Sequence, residues 1–162
     1  MILRAVNFGE FEALERLCKA LWHETYDALI GEAQVCYMLE KFQSKQAFYK
    51  QMKEENYRYF FIVRENDVAG YVALKLEEKR LFLSKLYLKK EYRGTGLVKD
   101  VLQEIFEAAR HFGYKEVYLT VNKHNARAVA AYKKYGFCLE DCAVSDIGGG
   151  YVMDDYIYKH SV

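Results

Sequence analysis

Two kinds of hydrophobic spacing alternate along the chain. Apolar residues three and four positions apart, typical of amphipathic helices, occur over residues 9–22, 32–41, 44–54, 98–109 and 125–135. Compact apolar or alternating runs, typical of strands, occur over residues 1–6, 57–63, 68–76, 80–88, 116–121, 137–144 and 151–158. Gly113 and Gly136 stop two of the helices, and Gly148, Gly149 and Gly150 form a turn between the last two strands. This order predicts a mixed α/β (α+β) sheet in one domain over residues 1–162.

Composition narrows the class of protein. The chain is 52% hydrophobic with a net charge of +1, which suits a packed core and argues against a broad basic surface for nucleic acid. No apolar stretch approaches the roughly 20 residues that a membrane helix needs. The first residues lack the features of a signal peptide, so we expect a cytoplasmic protein. The four cysteines form no Cys-x-x-Cys pair, and we expect no metal site.

The segment Arg93-Gly94-Thr95-Gly96 turns a strand into a helix. A helix start exposes N–H groups that have no partner within the helix, and the helix dipole makes that end positive. Glycines allow a ligand to approach the backbone closely. The segment therefore predicts either a phosphate-binding loop or a simple strand-to-helix turn.

A second segment, VNKHNARAVAAYKKYGF, begins another helix at Asn125, a residue type that caps helix N-termini well. Tyr132 follows about two turns later, near the same face. Taken alone, Asn125 is explained by capping and Tyr132 is one of fifteen tyrosines.

Together the two segments resemble the GCN5-related N-acetyltransferase (GNAT) family. The pyrophosphate loop of that family has Gln or Arg, two residues, Gly, one residue, and Gly or Ala, and here Arg93 and Gly96 match. The second motif matches at Asn125, Ala128, Tyr132, Gly136 and Phe137. The segments WHETYDALIGEAQVCYMLEKF and GGGYVMDDYIY resemble the PaiA-like polyamine acetyltransferase branch.

The resemblance implies a GNAT-like fold. Its central sheet has six or seven mostly antiparallel strands, flanked by about four helices and splayed between the fourth and fifth strands. It also implies acetyl-CoA as cosubstrate and a primary amine as acceptor. The residues expected to hold acetyl-CoA are Leu86, Tyr87, Leu88, Arg93, Gly94, Thr95, Gly96, Leu97, Val98, Asn125 and Tyr132.

Each group of these residues has an expected task. Backbone N–H groups from Arg93 to Val98 hold the pyrophosphate, and Asn125 binds the pantetheine arm. The strand edge at Leu86–Leu88 pairs with that arm like an added strand, and the N–H of Leu86 or Leu88 polarises the thioester carbonyl. Val98 departs from the Gly or Ala usual in the family, and its branched side chain either crowds the pyrophosphate or points into the core.

The resemblance places Tyr132 beside the thioester sulfur. A phenol has a pKa of about 10 and holds a proton at neutral pH, so Tyr132 is the expected general acid. The attacking amine must lose a proton, and the sequence does not fix the base. Glu24 is a candidate, although a solvated helix carboxylate is the better explanation of this residue, and His23 and His124 are weaker candidates.

The acceptor side is less defined. Asp154 and Asp155 interrupt an apolar strand, and one of them must face inward. An inward carboxylate either attracts a cationic amine or protects a sheet edge. The resemblance adds Tyr26, Gln34 and Tyr37 as acceptor-pocket residues beside Asp154.

These patterns favour an acetyltransferase for a small cationic amine such as a polyamine, and a homodimer is one form that it can take. A dinucleotide fingerprint fails because Lys99 replaces its third glycine. A non-catalytic acyl-CoA-binding sensor or partner domain, and a protein or peptide N-acetyltransferase, stay open as alternatives.

Overall fold

The computed structural model of the protein describes all of residues 1–162. The strands are β1 Leu3–Ala5, β2 Tyr57–Arg64, β3 Asp67–Leu76, β4 Leu81–Leu88, β5 Glu116–Asn122, β6 Cys138–Gly148 and β7 Tyr151–Ser161. The helices are α1 Phe11–Ile30, α2 Glu32–Phe42, α3 Lys45–Glu54, α4 Leu97–His111 and α5 Ala126–Lys134. None of the helices is both long enough and apolar enough to span a lipid bilayer.

One sheet contains all seven strands, in the order β1-β2-β3-β4-β5-β7-β6. Every neighbouring pair is antiparallel except β4 and β5, which are parallel and joined through α4. The predicted mixed and mostly antiparallel sheet is therefore confirmed, with five helices around it where about four were expected.

Helix α1 runs eight residues beyond its predicted end at position 22, to Ile30. Trp22 and Tyr26 continue the buried stripe by one more turn, and no helix-breaking residue occurs before Gly31. Gly31 ends the helix with a φ of 88°, which favours glycine. This extension brings the WHETY segment onto a helix that crosses the sheet.

Two hydrophobic clusters lie on the two faces of the sheet. Helices α1, α2 and α3 pack on one face through residues that include Leu14, Trp22 and Phe48. Helix α4 packs on the other face through residues such as Val101 and Ile105, and α5 packs at the edge of the same cluster. The helices on opposite faces thus approach β4 and β5 from both sides.

A buried polar network lies beneath α1. Gln43 accepts hydrogen bonds from Tyr71 at 2.8 Å and Cys18 at 3.4 Å, and its amide donates to Tyr59 at 3.0 Å. The indole N–H of Trp22 donates to the Tyr71 hydroxyl at 2.7 Å. Because unsatisfied buried polar groups are costly, this network fixes the rotamers of its members. It therefore holds Trp22 in one orientation above the sheet.

Strands β3 and β4 approach each other unusually closely at Gly70. Gly70 lies opposite Leu88, and a Cβ added to Gly70 would lie 2.0 Å from the carbonyl oxygen of Tyr87. Only a residue without a side chain fits this position, so Gly70 sets the path of the outer half of β4.

We expect Gly70→Ala to lower the free energy of unfolding by about 3 kcal/mol, because one backbone must move to relieve the overlap. Gly113→Ala is the control, since Gly113 has a positive φ of 82° but no atom within 4 Å of the added carbon, so the substitution strains the backbone without an overlap. The control should cost about 1 kcal/mol. Urea denaturation of both variants measures the difference, and equal losses would contradict the close contact.

Candidate active site

A cleft opens where β4 and β5 separate. The two strands pair only from Leu81 to Leu83 on β4 and from Val117 to Leu119 on β5. Beyond these pairs the strands diverge and line a cleft with a volume of about 570 Å³, which is large enough for the arm of a cofactor. The predicted splay between the fourth and fifth strands is confirmed. Helices α1 and α5 supply the remaining walls.

The edge of β4 that faces this cleft carries free backbone groups. The N–H of Lys89 donates to the carbonyl of Ala69 on β3 at 2.8 Å. Successive residues of a strand direct their backbone N–H and C=O groups to opposite sides, so this bond shows which residues of β4 face β3 and which face away from it. Leu86 and Leu88 therefore direct their N–H and C=O groups away from β3, into the gap. Arg93 confirms this direction, because its Nε donates to the Leu88 carbonyl at 3.1 Å. The remaining groups are available to a ligand that pairs as a strand.

Helix α4 begins beside the same cleft. Gly96, with a φ of 84°, lets the chain turn directly into the helix, and no side chain caps the first N–H groups. Uncapped N–H groups at the positive end of a helix form an anion site. The geometry of the loop therefore suits a pyrophosphate.

The predicted loop residues divide into two groups. Arg93, Gly94 and Val98 line the cleft, as predicted for residues that contact a cofactor. The side chains of Thr95 and Leu97 do not line it, because the Thr95 hydroxyl donates to Tyr92 at 2.7 Å and Leu97 is 2% exposed in the core. Thr95, Gly96 and Leu97 can therefore reach a pyrophosphate only through their backbone. Val98 also packs partly against the core.

Glu24 lies at the loop end of the cleft. Its carboxylate accepts a hydrogen bond from Nη1 of Arg93 at 2.9 Å, and its side chain is 40% exposed. In the structure Glu24 thus holds Arg93 at the loop end of the cleft, and its task as base stays a prediction. His23 faces Asp27 on the outer side of α1 at 2.8 Å and lines neither pocket.

Helix α5 contributes Asn125 and Tyr132 to the cleft. The side chain of Asn125 caps the helix by accepting from the Ala128 N–H at 3.3 Å, as its sequence position predicts. Burial raises the pKa of Tyr132, and neighbouring Tyr26 raises it further. Tyr132 therefore keeps its proton across the physiological range and can donate a hydrogen bond into the cleft.

Two further tyrosines separate the cleft from a second, smaller pocket. The hydroxyls of Tyr26 and Tyr87 are 2.8 Å apart, and their rings pack edge to face. Burial raises the pKa of both groups, so both remain neutral donors at physiological pH. Trp22 packs against both rings, which links this pair to the buried network beneath α1.

The small pocket has a volume of about 40 Å³, close to the space that one water molecule or one ammonium group occupies. It shares Tyr26, Ser84, Lys85, Tyr87 and Thr120 with the large cleft, so the two spaces adjoin. Its other walls are Trp22, Ile30, Gln34, Met38, Asn122, Met153 and Asp155.

Lys85 and Asp155 are the two charged groups of this small pocket. Burial raises the pKa of Asp155 to about 6, although nearby Lys85 opposes the shift. Burial also lowers the pKa of Lys85 to about 8, with Asp155 acting in the opposite direction. Perturbed ionisable groups that face each other across a pocket are a common mark of functional sites.

Of the four predicted acceptor residues, two line the small pocket and two lie outside it. Tyr26 and Gln34 line the small pocket, and Gln34 also donates to the carbonyl of Val152 on β7 at 2.8 Å. Asp154 does not line it, because its side chain points to the other face and pairs with Lys123 at 2.9 Å. Tyr37 donates to the carbonyl of Ile147 at 2.8 Å and packs on Tyr151, so it supports the β6–β7 turn.

Lys85 is the functional candidate that the sequence analysis missed. A signal was present, since Lys85 is the one charged residue within the strand LFLSKLYL. Its position on a predicted strand gave no indication of depth or of the facing carboxylate. The strand register decides how deep Lys85 lies and which residue it faces. That register depends on a bulge at Ser84 in the pairing of β3 with β4.

A parallel strand pair diverges around a cleft, beside an uncapped helix start and the partly buried phenol of Tyr132, and this arrangement agrees with an acetyltransferase fold. The chain belongs to the acetyltransferase (GNAT) family, whose sequence profile matches residues 16–137. It is thus a member of a family of N-acetyltransferase enzymes.

Two relatives illustrate the range of similarity. Spermidine N(1)-acetyltransferase of Thermoplasma acidophilum is 25% identical over 148 residues, which cover 89% of this chain and 92% of that protein. An uncharacterised N-acetyltransferase of Mycobacterium tuberculosis is 32% identical over 91 residues, 56% of this chain and 58% of its own length.

Solved structures share the fold. The PaiA N-acetyltransferase of Thermoplasma acidophilum, in complex with coenzyme A, superposes with a TM-score of 0.82 at 22% identity, covering 99% of this chain and 98% of that one. A spermidine N-acetyltransferase SpeG chimera from Vibrio cholerae and hSSAT has a TM-score of 0.72 at 18% identity, covering 99% of this chain and 96% of that one.

We expect Gly96→Ala to raise the dissociation constant for CoA about tenfold. An alanine at this positive φ is strained by about 1–2 kcal/mol, and relief of that strain redirects the N–H groups at the start of α4. Calorimetric titration with CoA measures the effect. Gly113→Ala carries similar backbone strain at the far end of α4 and should leave CoA affinity within about twofold. A Gly96→Ala protein that bound CoA like the parent would contradict the anion site.

Proposed function

We propose that the protein transfers the acetyl group of acetyl-CoA to a primary amine on a small cationic molecule of the polyamine type. One observation carries the proposal: the free edge of β4 and the hydroxyl-bearing face of α5 meet in one cleft that adjoins a pocket of ammonium size. Family membership supports the reaction class.

The donor lies along β4 in this proposal. The pyrophosphate sits at the start of α4, and the pantetheine amides pair with the free groups of Leu86 and Leu88. The thioester carbonyl then accepts a hydrogen bond from the N–H of Leu86, the deeper of the two free amides. This hydrogen bond becomes stronger as the carbonyl oxygen becomes negative in the tetrahedral intermediate.

Tyr132 acts on the leaving thiolate. A free thiol has a pKa of about 8.5, and burial raises the pKa of Tyr132 above its usual value of about 10. Complete proton transfer from the phenol to the sulfur is therefore uphill. Tyr132 serves chiefly by donating a hydrogen bond to the developing thiolate, and the sulfur receives its proton as the amine nitrogen loses one.

Charge and size support a small amine acceptor. The small pocket holds the carboxylate of Asp155 and has room for one amine group, which excludes a bulky ring at this depth. The similarity to a spermidine N(1)-acetyltransferase and to a spermidine N-acetyltransferase chimera supports a cationic aliphatic acceptor. A cytoplasmic location and a homodimer stay predictions from the sequence.

Two alternatives lead to different measurements. An acyl-CoA sensor would bind CoA without transferring the acetyl group. A protein N-acetyltransferase would accept peptides, and a ribosomal-protein alanine N-acetyltransferase of Bacillus subtilis is 24% identical over 94 residues. The enclosed small pocket favours the free amine over a peptide end.

We expect Tyr132→Phe to lower kcat about 100-fold while changing CoA affinity less than threefold, because the ring remains and only the donor to the sulfur is lost. Release of free CoA thiol from acetyl-CoA measures turnover, with spermidine, spermine, amino sugars, aminoglycosides and short peptides as acceptors. Tyr135→Phe, which removes the hydroxyl of a cleft-lining tyrosine directly after α5, is the matched comparison and should lose far less.

Release only with peptides would replace the polyamine proposal with a protein acetyltransferase. CoA binding without release by any amine would favour the sensor. Turnover by Tyr132→Phe equal to that of the parent would remove the assigned role of Tyr132 while leaving the reaction class intact.

A further inference from the structure

We propose that Asp155 is the general base that deprotonates the acceptor amine, and that Lys85 is the positioning residue that keeps this carboxylate ionised. The inference rests on the proposed amine acetyltransferase function and names the proton acceptor that the sequence leaves undefined.

The position of Asp155 supports this role. Asp155 is 8% exposed and lies opposite Asn122 at the open end of β5, where the strand has separated from β4. No protein group donates a hydrogen bond to its carboxylate, although buried carboxylates normally have such partners. The side chain faces the small pocket instead. A cationic amine in that pocket would supply the missing partner.

Lys85 stands at the junction between the pocket and the cleft. Its ammonium donates to the Ser84 hydroxyl at 3.0 Å and lies 5.8 Å from the Trp22 ring centre. No carboxylate lies within 4.0 Å of this ammonium, although Lys85 and Asp155 both line the small pocket. The two groups thus share the pocket without forming an ion pair, and in this proposal the acceptor nitrogen lies between them.

Ionisable groups on several elements surround Asp155. Lys85 and Tyr87 of β4 and Tyr26 of α1 lie on the pocket side of Asp155. Asp154 of β7 and Lys123 after β5 also interact with it electrostatically, from the other face of the strand. The partner on β6 is Ala143, and α2 contributes the neutral Gln34 and Met38. Lys123 is already paired with Asp154, so Lys85 is the free cation of the group.

This arrangement favours the neutral form of the incoming amine. Asp155 attracts the ammonium and accepts its proton, while the positive charge of Lys85 disfavours a second cation beside it. A carboxyl group whose pKa lies near neutrality suits a base that must take up and release a proton in each cycle.

The step balances as follows. The acceptor ammonium gives one proton to Asp155 and becomes a neutral amine. Its lone pair forms the N–C bond to the thioester carbonyl, and the C–S bond breaks. The nitrogen loses a second proton, which ends on the CoA sulfur, and Asp155 releases the first proton to water. Products are the N-acetylated amine, CoA thiol and one proton.

Asp155→Asn tests the base directly. We expect kcat/KM for spermidine to fall about 100-fold at pH 7, with unchanged CoA binding and an unchanged melting temperature within a few degrees. The deficit should shrink towards pH 10, where much of the acceptor is already neutral in solution. A purely structural role for Asp155 would give a deficit that does not depend on pH. Asp141→Asn, which removes an exposed carboxylate from neighbouring β6, is the control and should stay within twofold.

Lys85→Met tests whether the charge of Lys85 keeps Asp155 ionised, because the substitution removes the charge and retains the length of the side chain. The parent should lose kcat/KM as the pH falls through about 6, where Asp155 becomes protonated. Without the cation the carboxylate of Asp155 gains its proton more easily. The acidic limb, the part of the pH profile where kcat/KM falls as the pH is lowered, should therefore shift to higher pH by about one unit. Lys85→Arg retains the charge and should leave the limb in place.

The outcomes distinguish a failure of the roles given to Asp155 and Lys85 from a failure of the proposed acetyltransferase function. If the parent acetylates amines and Asp155→Asn matches it at pH 7, Asp155 is not the base and the proposed function survives. An acidic limb that stays fixed in Lys85→Met would overturn the tuning role. If the parent binds CoA but acetylates no amine, the proposed function fails and this inference fails with it.

Discussion

The early end of pairing between β4 and β5 determines the rest of the site. After three residue pairs the strands separate, and the inner edge of β4 is left with N–H and C=O groups that no neighbouring strand satisfies. Such groups are costly in a protein interior unless water or a ligand binds them. The gap is therefore a place where an extended, amide-bearing molecule gains hydrogen bonds that the fold leaves unmade, and the pantetheine arm of CoA has that chemistry.

Strand β4 serves both halves of the proposed reaction because its groups point in different directions. The backbone of Leu86 and Leu88 faces the gap, whereas the side chains of Lys85 and Tyr87 project to the face that α1 covers. Donor and acceptor therefore meet along one strand. The buried network that holds Trp22 and the tight contact at Gly70 both restrict movement of this strand, so small displacements there affect both substrates.

Local sequence signals predicted most of the fold and the donor side of the site. The glycine loop and the Asn125–Tyr132 helix each lie within a short segment, where residue type and spacing carry the information. The acceptor side depends on contacts between distant segments, and alternation alone could not decide between Asp154 and Asp155. Register placed Asp155 inward and Asp154 against Lys123. The position of Lys85 opposite Asp155 and the pairing of Glu24 with Arg93 could not be predicted either, because each depends on a residue far away in the chain.

The distribution of the two half-sites along the chain has an evolutionary consequence. Apart from the residues of α1 between Glu24 and Leu29, the donor side comes from one continuous stretch, residues 83–135, whereas the acceptor pocket takes Trp22, Tyr26 and Gln34 from the first helices and Asp155 from the last strand. Substitutions in these outer segments can change the amine that is accepted while the stretch proposed to bind CoA is inherited intact. Descendants of one such chain can therefore diverge in substrate while sharing one reaction.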